Sequence, residues 1–197
     1  MGVTRTTFAA RLAVVVLSLS ACGSASGAAP ATSPVPNYAA GTTMARISAA
    51  GRMKVGIRYD QPGFGLKAMD GTVSGLDVEM AKILAGAMGL TADNIDWVES
   101  PAATRESLIE NGVVDLVVAT YPINDQSRAR VTFAGPYFVA GKISYGIGIT
   151  KGDVKFCEFI NATLKNNSAA YAKALAETAG QAGGAAPAAL PPATACV

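Results

Sequence analysis

Between residues 43 and 180 the hydrophobic positions switch back and forth between two periods. Short apolar runs at 54–59 (KVGIRY), 95–98 and 115–120 (DLVVAT) predict strands. Stretches with apolar residues three and four apart, over 44–50, 78–88 and 104–110, predict helices. In the second of these Ala81, Leu84, Ala85 and Met88 share one face, with Asp77 as the expected N-cap and Gly89 as the stop. The run at 115–120 is rich in β-branched residues and unbroken, as in a strand buried on both faces. Alternation is strictest at 143–150 (ISYGIGIT): Ile143, Tyr145, Ile147 and Ile149 face one way, and Ser144, Gly146, Gly148 and Thr150 the other. A turn at Lys151-Gly152-Asp153 then caps a helix over 154–165 with Cys157, Ile160 and Leu164 as its inner stripe, and a weaker helix follows at 169–178. Strands alternating with helices predict an α/β domain with a mostly parallel sheet.

The flanks have a different composition. Residues 1–21 carry Arg5 and Arg11 ahead of an apolar run at 12–19, which reads as an export signal. That run is too short to span a bilayer, which takes about 20 apolar residues. It ends in Leu19-Ser20-Ala21-Cys22, which resembles the lipidation box of bacterial lipoproteins; an ordinary signal peptide with a chance cysteine is the alternative. Residues 22–42 are Ala-, Ser-, Gly- and Pro-rich, a flexible tether, and residues 181–197 form an Ala/Pro-rich tail. Residues 43–180 are left as the packed domain.

Charge and cysteine content narrow the chemistry. Lysine and arginine number 16 against 14 acids, and the two excess cations, Arg5 and Arg11, lie in the leader. A formally neutral remainder does not suit nucleic acid, which needs a basic face. With no histidine in the chain, Ser-His-Asp triads, Cys-His pairs and histidine-containing zinc sites are excluded. No CxxC spacing supports a redox motif or a thiolate metal site. If Cys22 takes lipid, Cys157 and Cys196 remain, and an exported compartment permits one disulfide between them; two unpaired thiols are the alternative. The pair Gly146-x-Gly148 lacks the third glycine of a dinucleotide fingerprint and lies inside a predicted strand.

Several strings, in order, resemble the family 3 extracytoplasmic solute-binding proteins of amino-acid ABC importers. Gly75-Leu76-Asp77-Val78-Glu79-Met80 fits that family's signature. Tyr59-Asp60-Gln61-Pro62-Gly63-Phe64-Gly65, Ala119-Thr120-Tyr121, Ile123-Asn124-Asp125 and Phe133-Ala134-Gly135-Pro136-Tyr137-Phe138 are similar to its actinobacterial glutamate-binding branch. The resemblance covers about residues 44–180 and implies a type II periplasmic-binding-protein fold, with two lobes joined by crossing strands and an amino acid clamped between. Here the strand leaving the first lobe, 133–141, and the strand returning, from Tyr145, are separated only by Lys142, Ile143 and Ser144. A second lobe needs on the order of 100 residues. One lobe with its C-terminal return is therefore expected, the second being largely missing.

The resemblance also implies a site. Arg58, ending the first strand, matches the residue that takes a side-chain carboxylate in acidic-amino-acid binders; a solvated strand-end cation is the alternative. Phe64 covers the ligand's apolar stem or belongs to the core. Ala119 and Thr120 end the 115–120 strand, so a backbone amide and a hydroxyl are offered to an α-carboxylate. Where the family then shows a Ser or Thr and, five residues on, an arginine, this chain has Pro122 and Ser127, and Arg128 stands one residue too late. The implied function is non-enzymatic: a lipoprotein anchored on the extracytoplasmic face of the cell membrane that captures an acidic or polar amino acid, glutamate above all, and delivers it to ABC permease subunits. No cofactor or metal is implied. The alternatives are a degenerate single-lobe interaction lipoprotein and a periplasmic dehydratase on the same scaffold. If two lobes bind near micromolar, about −8 kcal/mol, and share contacts equally, one lobe keeps about half, which is millimolar.

Overall fold

The computed structural model describes Gly2, residues 36–178 and residues 189–197. The expected lipidation site Cys22, the leader apart from Gly2, and parts of the tether and tail lie outside the described residues. The described chain opens with helix α1 (Thr43–Ala50), strand β1 (Met53–Ile57), the short strands β2 (Asp60–Gln61), β3 (Gly65–Lys67) and β4 (Val73–Ser74), and helix α2 (Leu76–Ala87). Then come β5 (Ile95–Glu99), α3 (Arg105–Glu110), β6 (Leu116–Pro122), α4 (Asp125–Arg130), β7 (Val131–Ala140), β8 (Ile143–Thr150), α5 (Val154–Asn166) and α6 (Ser168–Thr178).

The main sheet has the order β5-β1-β6-β8-β7. The pairs β5–β1 and β1–β6 are parallel, whereas β6–β8 and β8–β7 are antiparallel. Four of the five strands thus run one way, and only β8 is reversed, so the sheet is mixed. The cause lies at Gly141-Lys142: Ala140 pairs with Ile143, and a two-residue connection can only make a hairpin, because a parallel return needs a crossover of a dozen residues or more. Gly141 takes the positive φ of 59° that this turn requires. The expected direct joining of the two strands is therefore observed, and the described residues form one α/β lobe.

Each face of the sheet has its own core, set by the alternation of the strands. Leu116 and Val118 of β6 and Ile147 and Ile149 of β8 point into a large cluster with α2, α5 and α6, including Leu84, Ile160, Leu164 and Tyr171. Val117, Ala119 and Tyr121 point the other way, to Ile109, Val131 and Phe133. The small residues of the 143–150 repeat face this second cluster. A Cβ added at Gly148 would lie 2.7 Å from the Tyr121 ring, and one at Gly146 would lie 2.8 Å from Ile123. The glycines are thus where the sheet accepts the rings of its neighbours.

Asp153 caps α5 as expected, its carboxylate accepting the Phe156 N–H at 3.0 Å. Asp77 does not cap α2. The helix begins two residues earlier than expected, at Leu76, with Gly75 in the cap position at φ 117°. No side chain fits at Gly75, since a Cβ would meet the Phe64 carbonyl oxygen at 2.2 Å. The Asp77 side chain turns inward instead. Cys157 and Cys196 form a disulfide with Cα atoms 5.8 Å apart. It fastens the C-terminal segment along β7, where the Thr194 N–H donates to the Gly135 carbonyl at 2.8 Å and the Thr132 hydroxyl donates to a Val197 oxygen at 3.2 Å.

Candidate functional site

At the carboxyl ends of β1 and β6 the surface opens into a cleft of about 600 Å³, the position where open α/β sheets hold ligands. Its charged lining is Arg58, Asp60, Arg105 and Glu106; Gln61, Thr120, Tyr121, Asn124, Ser127 and Tyr145 add polar groups. A larger hollow, about 740 Å³, runs under residues 189–193 of the tail and is lined mainly by apolar groups, with Lys165 as its charged residue. The chemistry for a small charged ligand lies in the first.

The structure brings Arg58 and Thr120 to the cleft, though neither stands free. Arg58 makes a two-pronged pair with Asp60, Nε to Oδ1 and Nη2 to Oδ2, both at 2.8 Å. The shared hydrogen bonds raise the Arg58 pKa and lower that of Asp60. With the side chains 28% and 67% exposed, a competing carboxylate displaces this pair at little cost. Thr120 sits at φ 41°, in the left-handed region, at an irregularity in the β6–β8 register. Its hydroxyl donates to Gln61 Oε1 at 2.7 Å, and its N–H is shared between Asp77 Oδ2 at 3.2 Å and the Tyr137 hydroxyl oxygen at 3.1 Å. Both donors expected for the ligand are therefore engaged inside the protein.

The other expected residues fall elsewhere. Phe64 is 8% exposed and packs edge-on against Phe138 with centroids 5.0 Å apart, which makes it a core residue rather than a cover for the ligand. Ala119 is fully buried below the cleft, where its carbonyl accepts from Arg105. Arg128 does not line the cleft. On α4 it is Gln126 and Ser127 that line the cleft, and one residue further on swings a side chain about 100° away. Ser127 itself completes a capping box with Asn124, its N–H donating to Asn124 Oδ1 at 2.9 Å, and its hydroxyl donates to the Pro122 carbonyl at 3.0 Å. The serine thus serves the turn. The arginine clamp expected at this position has no replacement from α4.

The missing cation comes from a residue the sequence did not single out. Arg105, on the first turn of α3, is only 4% exposed. Its Nη1 donates to the Ala119 carbonyl at 3.3 Å, its guanidinium lies 4.7 Å from the Tyr121 ring centroid, and its buried Nε has no hydrogen-bond partner. Burial pulls its pKa below the usual arginine value. Next to it Glu106 accepts from the Tyr121 hydroxyl at 2.6 Å, an arrangement that, with burial, pushes the Tyr121 pKa up. The signal was there: Arg105 stands four residues before Ile109, on the inward face of the helix. A charged residue on that face reads as solvated unless the fold is known.

Under the floor, Asp77 is fully buried, its Oδ1 accepting the Tyr137 hydroxyl at 2.5 Å. Burial pushes its pKa up to about 7, against the opposing pull of Tyr137, the Thr120 N–H, Arg105 and Arg58. Among the described residues no group of histidine, cysteine and acidic side chains could hold a metal ion.

The sequence profile of the bacterial extracellular solute-binding proteins, family 3, matches residues 53–178. A glutamate-binding protein, GluB, from Corynebacterium glutamicum is 38% identical over 131 residues, 64% of this chain and 40% of that one. The chain thus spans about two fifths of this relative's length. Among solved structures, the arginine-bound form of domain 1 from TmArgBP superposes with a TM-score of 0.57 at 28% identity, covering 61% of this chain and 97% of that domain. The solute receptor for L-cysteine of Neisseria gonorrhoeae gives a TM-score of 0.64 at 17% identity, covering 70% and 93%.

Proposed function

We propose that this chain, which belongs to the bacterial extracellular solute-binding proteins of family 3, captures an acidic amino acid or its amide in the cleft at the carboxyl ends of β1 and β6. The observation that carries this reading is Arg105: a nearly buried guanidinium with an unpartnered Nε at the cleft floor, beside an Arg58 whose present partner is a displaceable carboxylate. A ligand carboxylate suits both groups, and each charge-assisted hydrogen bond contributes about 1.5–3 kcal/mol. The likeness to a glutamate-binding protein supports the same ligand class. That domain 1 of TmArgBP has an arginine-bound form supports capture by a single lobe. Family membership supports an extracytoplasmic location and a binding role rather than an enzymatic one. In this reading Cys22 carries the lipid, residues 22–42 tether the lobe to the extracytoplasmic face of the membrane, and bound ligand passes to an ABC permease.

A second reading, a lobe that docks on its partners without carrying ligand, is favoured by one observation: the Thr120 N–H and hydroxyl already have internal acceptors. Titration calorimetry with L-glutamate, L-aspartate and L-glutamine decides between them. The capture reading expects a dissociation constant near millimolar for at least one, weakened about tenfold or more by Arg105→Met. No binding heat from any of the three up to tens of millimolar selects the second reading.

A further inference from the structure

The capture reading leaves Asp77 unused, although it stands directly beneath the cleft. Among the described residues it makes no salt bridge; its two oxygens accept from Tyr137 of β7 and from the Thr120 N–H of β6. The cations that favour its ionised form are Arg105 of α3 and Arg58, just past β1, and both line the cleft. The other polar groups on neighbouring elements are engaged away from it. Tyr171 of α6 donates to the Tyr137 carbonyl at 2.9 Å, Lys67 of β3 lies 4.5 Å from the centroid of the Tyr59 ring, and Glu79 and Lys82 of α2 pair with each other. Asp77 is thus a fully buried carboxyl whose nearest positive charges are the ones a ligand would occupy.

We propose that Asp77 sets the charge preference of the cleft: it takes up a proton from solvent when Arg105 and Arg58 capture an anion, and gives one up when the cleft holds a cation. The inference rests on the capture reading for its ligand, and on the place of Asp77 beneath Thr120 and the two cleft arginines for the coupling. The cleft lining carries two formal positive charges, Arg58 and Arg105, and two negative, Asp60 and Glu106, so the carboxyl underneath decides the sign of the whole site. A ligand carboxylate on Arg105 cancels the attraction that keeps Asp77 ionised and adds a repulsion of its own, so the neutral acid is favoured. A cationic side chain in the same place does the reverse. With Asp77 titrating near neutrality, either state is accessible at ordinary pH. A charge within about 4–6 Å of a carboxyl changes its proton affinity about tenfold or more. Linkage then requires the ligand's affinity to change by the same factor across the titration. Anion capture tightens as pH falls through the neutral range, and cation capture tightens as it rises.

The test has one arm with ligand and one without. In the purified full chain, the Asp77 carboxyl carbon is titrated by ¹³C NMR, assigned with Asp77→Asn, in wild type and in Arg58→Gln. The midpoint is expected to rise in Arg58→Gln, to rise on saturation with L-glutamate and to fall on saturation with L-arginine. Calorimetry is expected to show L-glutamate binding about tenfold tighter at pH 6 than at pH 8.5, with the dependence flattened in Asp77→Asn. If Asp77→Asn fails to fold, titrations of wild type in buffers of different ionisation enthalpy count the proton directly. A midpoint unmoved by Arg58→Gln overturns the coupling whatever binds. A midpoint unmoved by L-glutamate that does bind overturns it equally. If neither amino acid binds, the capture reading fails, and the Arg58→Gln arm still decides the coupling.

Discussion

Replacing Asp77 by asparagine removes a buried ionisable group while keeping its shape, and the consequence for stability can be worked from its surroundings. In the unfolded chain an aspartate titrates near 3.8; in the fold burial raises this to about 7. Between those values the folded state holds a proton that the unfolded state has lost, so stability falls as pH rises, by about 1.4 kcal/mol per pH unit. The full difference is about 4 kcal/mol, absent below pH 4 and complete above pH 7. Most carboxylates act in the opposite sense. Asp60, Asp96 and Glu110, whose arginine partners lower their pKa values, contribute stability above the unfolded pKa and lose it as pH falls. Comparing variant with wild type cancels these contributions. Urea unfolding followed by circular dichroism from pH 4 to pH 8 should therefore show Asp77→Asn gaining on wild type steadily with pH, by up to about 4 kcal/mol. A constant offset reflects only a changed hydrogen bond to Tyr137 or Thr120. A difference that stays flat across this range would refute the assignment of a raised pKa to Asp77.

Two further perturbations probe the frame around the cleft. Gly148→Ala places a methyl against the Tyr121 ring and should destabilise by about 1–3 kcal/mol, read as a lowered thermal midpoint; an unchanged midpoint would show that Tyr121 can move aside. Cys196→Ser opens a bridge with a sequence separation of 39, worth about 4 kcal/mol in the chain-entropy model, so its urea midpoint should fall and wild type under reductant should match it.

The elements most legible in the sequence are those whose period and local chemistry agree. The alternation at 143–150 marks β8 to the residue, and Asp153 ahead of an apolar stripe marks the start of α5, because both signals are local. Asp77 was misread because an aspartate before an apolar run looks the same whether its carboxylate caps the helix or turns inward to Tyr137, a partner 60 residues away. The strands β2, β3 and β4 are two or three residues long, too short to show any period. At the site, the end of β1 and the end of β6 were legible from their place in an α/β sheet, and with them Arg58 and Thr120. Arg105 was not: its spacing to Ile109 puts it on the inward face of α3, but a charged residue there reads as solvated until the Tyr121 ring it stacks on is known. The internal acceptors of the Thr120 N–H and hydroxyl, Asp77, Tyr137 and Gln61, come from three different elements, so only the tertiary structure brings them together.

The same internal hydrogen bonds bear on how strongly one lobe can hold its ligand. Thr120 offers its N–H only by giving up buried acceptors, Asp77 and Tyr137, and leaving a buried acceptor unsatisfied costs about 1–3 kcal/mol; its hydroxyl must leave the half-buried Gln61. Arg58 is available once Asp60 is displaced, a change worth at most about 1 kcal/mol for an exposed pair. Arg105 lines the cleft with donor capacity to spare, since its Nε lacks a partner, but that atom is buried and the guanidinium must turn toward the cleft to meet a ligand. Two charge-assisted contacts of about 1.5–3 kcal/mol each give roughly 3–6 kcal/mol before the ligand's lost freedom is counted. Even with none of those costs subtracted, that range falls short of the roughly 8 kcal/mol of a micromolar complex. Tighter binding by this lobe would require a surface that covers the cleft and removes water from around Arg58 and Arg105, where the same contacts strengthen as the local dielectric falls.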